Sequence, residues 1–267
     1  MTAIEERFRE ACRIAVAAGE RALDRYENRG ELTIESKGLQ DFVSAADREV
    51  EDYIRGELSR LFPDDAILGE EGGGDEADRV WVIDPIDGTA NFLRGIPAWG
   101  VLLAYVVDGV TEIGLTVLPV LNEVYAARRG HGATLNGRPI RISGCTEPTE
   151  ACAAVSFSFK QTRDDITGTM SWLHDNGIDM RRIGSSAVIL AWAAAGRVDI
   201  ALIVSCNSWD CLPGLLLVEE AGGRATHYAD GCSLLERRPV AACTPALAAS
   251  LQARFAGLGL DAEAPAT

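Results

Sequence analysis

Residues 4–27 place Phe8, Cys12, Ala15, Ala22 and Tyr26 near one face of a helix, with Glu and Arg residues opposite. Asn28-Arg29-Gly30 stops this predicted helix. A short extended piece over 32–34 leads into a polar stretch, 35–40. A second helix is predicted over 44–62, where Val50, Ile54, Leu58 and Leu61 recur at helical spacing. Pro63-Asp64-Asp65 turns the chain into a short strand, 66–68, which ends at Gly69-Glu70-Glu71 and a glycine-rich loop. The next apolar run, Val80-Trp81-Val82-Ile83, reads as a buried strand that stops at two acids, Asp84 and Asp87. Pro85 fixes its own φ and donates no hydrogen bond, so the chain is expected to turn there.

Beyond this turn, β-rich runs at 101–107, 111–117 and 123–127 are separated by Asp108-Gly109 and by residues 119–122. Adjacent hairpins of an antiparallel sheet give this pattern, and Asn136-Gly137 is a further turn signal. From about residue 150, strands (155–159, 180–183, 198–204, 240–243) alternate with helices (164–176, 185–195, 209–221). Segment 209–221 is apolar on most faces and is expected to be buried. Thr244-Pro245 starts a last helix. The expected fold is α/β in two halves. Residues 1–148 form an α+β half, a helix pair plus an antiparallel sheet, and residues 149–267 an α/β half.

Charge narrows the function classes. The chain carries 25 Lys and Arg against 40 Asp and Glu, a net charge of −15. Nucleic acids and anionic membranes both require clustered positive charge, so neither is an expected partner. The pairs Arg128-Arg129, Arg181-Arg182 and Arg237-Arg238 read as solvated surface. The first ten residues include Glu5, Glu6, Arg7, Arg9 and Glu10 where a secretion signal is apolar, and no apolar run approaches the ~18 residues of a membrane span. Seven cysteines, an odd number with no Cys-x-x-Cys, read as reduced and mostly buried thiols. A cytoplasmic location is expected. The three histidines are scattered, which disfavours a zinc site.

Candidate chemistry lies at the ends of the predicted elements. Glu70 and Glu71 follow one strand, Asp84 and Asp87 another; Asp210 starts a buried helix, and Asp47 lies in the first turn of the second helix. Singly, each has a plain reading. Ser44-x-x-Asp47 resembles a capping box, Asp210 can be a helix N-terminal charge, and Glu70-Glu71 can be a solvated loop. The Asp84/Asp87 pair is harder to dismiss, because a core strand has no structural need for two acids at its mouth. These two carboxylates, the Ile86 carbonyl and the Thr89 hydroxyl make a hard-cation site, with a helix start at Gly88-Thr89 able to hold an anion. If Glu70, Asp84, Asp87 and Asp210 meet, the cluster needs counter-charge to stay ionised. Two Mg²⁺ ions supply it, and such a pair beside a helix start describes a phosphoester-hydrolysing centre.

These residues resemble the inositol monophosphatase family. Its metal motif is similar to Trp81-Val82-Ile83-Asp84-Pro85-Ile86-Asp87-Gly88-Thr89-Ala90-Asn91-Phe92. Its Gly-Glu-Glu element resembles Gly69-Glu70-Glu71, and its late Trp-Asp and Glu-Ala-Gly-Gly resemble Trp209-Asp210 and Glu220-Ala221-Gly222-Gly223. Its Asp-x-Val-Thr-x-x-Asp element resembles Asp41-Phe42-Val43-Ser44-Ala45-Ala46-Asp47, and Lys37 resembles a loop lysine near the site.

The resemblance implies a layered αβαβα sandwich of the inositol monophosphatase and fructose bisphosphatase type, usually homodimeric. It implies one Mg²⁺ on Glu70, Asp84 and the Ile86 carbonyl, a second on Asp84, Asp87 and Asp210, and a weaker third near Glu70. Thr89, paired with Asp47, activates water; Gly88 and Thr89 amides hold phosphate; Ser185 and Asp210 border the substrate. Li⁺ inhibition is implied too. Inositol monophosphate is the default substrate. Histidinol phosphate, fructose bisphosphate and adenosine 3′,5′-bisphosphate are alternatives with the same chemistry, and a non-catalytic regulatory role on the same fold is a further one. One departure bears on substrate: inositol-specific members carry a Glu seven residues before the Trp-Asp aspartate, where this chain has Ile203.

Overall fold

The computed structural model describes residues 2–31, 34–38, 41–157, 161–228, 232–255 and 258–260, with no side-chain description for 31, 34–38 and 41–43. Lys37 therefore lies outside the described side chains. The long helix α1 (Ala3–Glu27) opens on a Thr2–Glu5 capping box and buries Ala11, Ile14, Ala15, Ala18 and Ala22. The polar stretch that follows is a hairpin, β1 (Ile34–Gly38) with β2 (Asp41–Ser44). Helix α2 (Ala45–Leu61) starts directly from β2, with Ser44 as its N-cap.

A seven-stranded sheet comes next: β3 (Ala66–Gly69), β4 (Arg79–Asp87), β5 (Gly100–Val107), β6 (Val110–Leu118), β7 (Glu123–Arg128), β8 (Ala133–Leu135) and β9 (Arg138–Pro139), in that spatial order. Only β3 and β4 run parallel. The short helix α3 (Thr89–Arg94) leaves the end of β4. The hairpin signals hold. Asp108-Gly109 and Asn136-Gly137 adopt positive φ throughout, as a two-residue turn demands.

The remaining chain is β10 (Cys152–Ser156), α4 (Arg163–Asp175), β11 (Asp179–Arg182), α5 (Ser186–Ala194), β12 (Ile200–Cys206), α6 (Ser208–Glu220), β13 (Arg224–Ala225), β14 (Arg238–Cys243) and α7 (Ala248–Arg254). Its strands order as β11-β10-β12-β14-β13. Thr244-Pro245 opens a 3-10 turn before α7, so the last helix is shorter than the sequence suggests.

Three apolar clusters bind five layers, the middle one lying on both sides of the central helices. Trp81, Ile83, Val101 and Leu103 meet α1 and α2 on one face of the large sheet. Val80, Val82, Leu102 and Ala104 meet α5 and α6 on the other, and those helices also cover Ala154, Ala201 and Val240 of the second sheet. Leu173, Leu247 and Leu251 close the outer face of that second sheet. Both faces of β4 are thus buried, which is why it reads as a continuous apolar run. Gly114 lets α6 approach β6: a Cβ there would lie 2.7 Å from the Pro213 carbonyl oxygen.

All seven cysteines are free, and only Cys206, Cys211 and Cys243 are buried. No described helix is long and apolar enough to cross a membrane.

Candidate functional site

The strand carrying Asp84 and Asp87 does not stop at Ile83. It continues through Pro85 to Asp87, with a bulge: Asp84 pairs with Leu102 and Asp87 with Gly100. Three steps on β4 thus oppose two on β5. In an unbulged strand, residues three apart point to opposite faces, which would separate the two acids. With the bulge, Ile86 packs toward α1 and α2 while both acids face the inter-sheet side. Pro85 sits where the ladder is already interrupted, which is how a central strand accommodates it.

Gly88 then adopts φ +89 and serves as N-cap of α3. A Cβ there would also lie 3.0 Å from that of Ser185. This bend sets the Thr89 hydroxyl 3.1 Å from the Ile86 carbonyl oxygen and 3.4 Å from Asp47 Oδ1. Asp47 Oδ2 accepts from the Ser44 amide (2.8 Å) and hydroxyl (2.6 Å), so the capping box also aims Asp47 at Thr89.

Carboxylate oxygens of Glu70, Asp84 and Asp210 lie within 4.8 Å of one another. Asp84 is 1% exposed; its Oδ1 accepts from the Ile86 amide (3.0 Å), while Oδ2 is buried with no hydrogen-bond partner. Burial, then the nearby Glu70, Asp87, Asp210 and Asp47, hold its pKa well above the ordinary carboxylate range. Asp87 is 7% exposed and faces the start of α5. It accepts from the Ser185 hydroxyl, the Ser186 amide (3.3 Å) and the Ala187 amide (2.9 Å). Burial and then Asp210 push its pKa up to about 7, against the opposing effect of those donors. Asp210 is raised by burial too, and Asn207 and Arg237 counter that rise.

An orphaned, buried carboxylate oxygen inside a set of hard oxygen donors fits Mg²⁺. Without a cation the acids can relieve their repulsion only by taking up protons.

Glu51 belongs to the site and escaped the sequence reading. It lies one helical turn after Asp47, is 2% exposed, and accepts from the Glu71 amide (2.9 Å), the Gly72 amide (2.8 Å) and Arg55 Nε (2.7 Å). It therefore fixes the loop that presents Glu70. The Asp47/Glu51 i, i+4 spacing is the one trace it leaves in the sequence. Ser185 is 2% exposed and also caps α5 through the Val188 amide (3.2 Å). Ile203 is 2% exposed and packs between the sheets.

The fold and the acid cluster direct attention to one group of proteins. The sequence profile of the inositol monophosphatase family matches residues 4–258. The chain belongs to the inositol monophosphatase family. Its relatives include Nus factor SuhB of Pseudomonas aeruginosa, 35% identical over 255 residues that cover 91% of this chain and 94% of that protein. The fructose-1,6-bisphosphatase/inositol-1-monophosphatase of Thermotoga maritima is 39% identical over 192 residues, 72% of this chain and 73% of that one. The solved inositol monophosphatase of Anabaena (Nostoc) superposes with a TM-score of 0.82 at 28% identity, covering 97% of this chain and 99% of its own.

Proposed function

We propose that the protein is a Mg²⁺-dependent phosphate monoester hydrolase acting on small phosphorylated polyols, sugars or nucleotides. The observation that carries this reading is the convergence of the Glu70, Asp84 and Asp210 carboxylates, with Asp84 Oδ2 buried and without a hydrogen-bond partner. Glu70, Asp84 and the Ile86 carbonyl would hold one Mg²⁺; Asp84, Asp87 and Asp210 would hold a second; Glu70 would border a third. Bound Mg²⁺ supplies water of lowered pKa and charge neutralisation at phosphoryl oxygens.

The chain's own groups do the rest. Thr89 donates toward Asp47 and keeps lone pairs to accept from a water. As that water attacks phosphorus, its proton moves to Thr89 Oγ1 while the Thr89 proton passes to Asp47 Oδ1; the bond from phosphorus to the ester oxygen breaks, and the departing alkoxide takes a proton from solvent water to leave as the alcohol. The Gly88 and Thr89 amides hold phosphate oxygens, and Asp210 borders the substrate. Inhibition by Li⁺, a homodimer and a cytoplasmic location belong to the same reading.

Phosphate release from inositol 1-phosphate, histidinol phosphate, fructose 1,6-bisphosphate and adenosine 3′,5′-bisphosphate tests it, with and without Mg²⁺. Mg²⁺-dependent release from at least one supports the hydrolase. The Nus factor name of the Pseudomonas relative motivates a second reading, a regulatory protein that binds a partner through the same fold. Absence of release from the whole panel, with a stable protein partner in pull-down, favours that second reading.

A further inference from the structure

We propose that Arg237 and Ser205 form a subsite for a second anionic group, so that the substrate is a phosphate monoester bearing another phosphate or a carboxylate. This rests on the hydrolase reading above and deepens it.

Three guanidinium nitrogens of Arg237 are engaged: Nε with Ser205 Oγ (3.1 Å), Nη2 with the Ser205 carbonyl (3.3 Å) and Nη1 with Asn207 Oδ1 (2.9 Å). Every one of these acceptors is neutral. Among the described residues, no carboxylate lies within ion-pair distance of Arg237, whereas Arg55, Arg129 and Arg197 each face a glutamate. Arg237 is nonetheless exposed, so a pinned guanidinium keeps N–H edges toward solvent. The fork of that group matches phosphate and carboxylate alike.

Its position ties it to the acid cluster. Asn207 accepts from Arg237 and donates through both its backbone amide and its side-chain amide to Asp210 Oδ2 (3.1 Å each). Arg237 therefore stands one side chain away from Asp210. Two Mg²⁺ would balance the four carboxylates Glu70, Asp84, Asp87 and Asp210, which leaves the Arg237 charge as surplus beside the site. An irregularity in β12, between Ile203 and Cys206 in its pairing with β14, brings Ser205 to Arg237. Ile203 meanwhile is turned into the core and offers no acceptor to a neutral polyol. The surroundings favour an anion over a ring of hydroxyls.

A strap between β12 and β14 is the competing role for Arg237, and a ratio of activities separates the two. Wild type and Arg237→Gln are compared, with Mg²⁺, on inositol 1-phosphate, fructose 1,6-bisphosphate and adenosine 3′,5′-bisphosphate. The kcat/KM of each second-anion substrate is divided by that of inositol 1-phosphate, which cancels any damage transmitted to Asp210. The expected result is a fall in this ratio of about tenfold or more, mainly through KM, with partial recovery in Arg237→Lys. Parallel losses on all three substrates, or no change in the ratio, overturn the subsite. If Arg237→Gln fails to fold, Ser205→Ala is measured instead and shows a smaller fall in the same ratio or overturns the subsite. A wild-type protein that hydrolyses histidinol phosphate but none of the three overturns the subsite alone, whereas one that hydrolyses none of the four overturns the hydrolase reading as well, so the two failures look different.

Discussion

The Ser185 hydroxyl donates to Asp87 Oδ2 across 98 positions of sequence, joining the first turn of α5 to the last residue of β4. Ser185 Oγ in turn accepts from the Val188 amide, so one side chain both caps a helix and orients an acid. Ser185→Ala removes both bonds. A loss of about 1–3 kcal/mol in unfolding free energy is expected by denaturant titration. Ser185→Thr should retain most of it. A rise in KM with unchanged stability would instead assign Ser185 to the substrate.

Asp87 provides a pH test. Its carboxyl titrates near 7 in the metal-free fold, because burial and then Asp210 oppose its charge, against 3.8 ordinarily. Between those values the unfolded chain has released a proton that the folded chain still holds. Folding stability from this group therefore falls as pH rises from about 4 to about 7. In EDTA, the Tm difference between Asp87→Asn and wild type should grow in favour of the variant across that window. Parallel Tm profiles would contradict the shift. With Mg²⁺ at neutral pH the variant should lose turnover by about a hundredfold or more while keeping its fold.

Thr89→Val keeps the shape of the side chain and removes the hydroxyl that joins Asp47 to the site. A fall in kcat of about 10²–10⁴-fold is expected, the range of a lost acid–base group. The Mg²⁺-induced rise in Tm should persist, because no proposed cation ligand side chain has changed. Loss of that rise along with turnover would mean that Thr89 shapes the cation site itself.

Glu51→Gln weakens a charged acceptor of two loop amides and an arginine. The Gly69–Gly73 loop should loosen and Mg²⁺ affinity should fall by about tenfold, read by calorimetric titration. Close packing sharpens this: a Cβ on Gly69 would lie 2.4 Å from Glu51 Oε1, so a bulkier residue cannot share that space. Unchanged Mg²⁺ affinity would show that Glu70 is positioned without Glu51.

Sequence periodicity revealed those parts of the fold whose neighbours are local. Helices α1 and α2 and the turns at Asp108-Gly109 and Asn136-Gly137 carry their own capping or turn chemistry. The hairpin of β1 and β2 did not stand out, because its strands include the polar residues Glu35, Ser36 and Lys37. Pro85 suggested a turn; a bulge paired with Gly100 was the other solution, and only the partner strand decides between them. Glu51 looked like one more glutamate on a helix, since its amide partners come from a loop 20 residues on. Arg237 read as solvated surface for a similar reason: Ser205 lies 32 residues away. Asp84, Asp87 and Glu70 were recognisable because strand-end acids are conspicuous without their neighbours.

Helix α6 fills the interior between the two sheets and carries Asp210 in its first turn, opposite Glu70 and Asp84 from the large sheet. A cation shared by Asp84 and Asp210 would therefore cross-link layers contributed by distant parts of the chain. Assembly of that coordination shell and docking of α6 become a single equilibrium. Whatever loosens the layers weakens the grip on the ion, and the ion in turn fastens the layers. Mg²⁺ titration then measures how firmly the two sheets are joined.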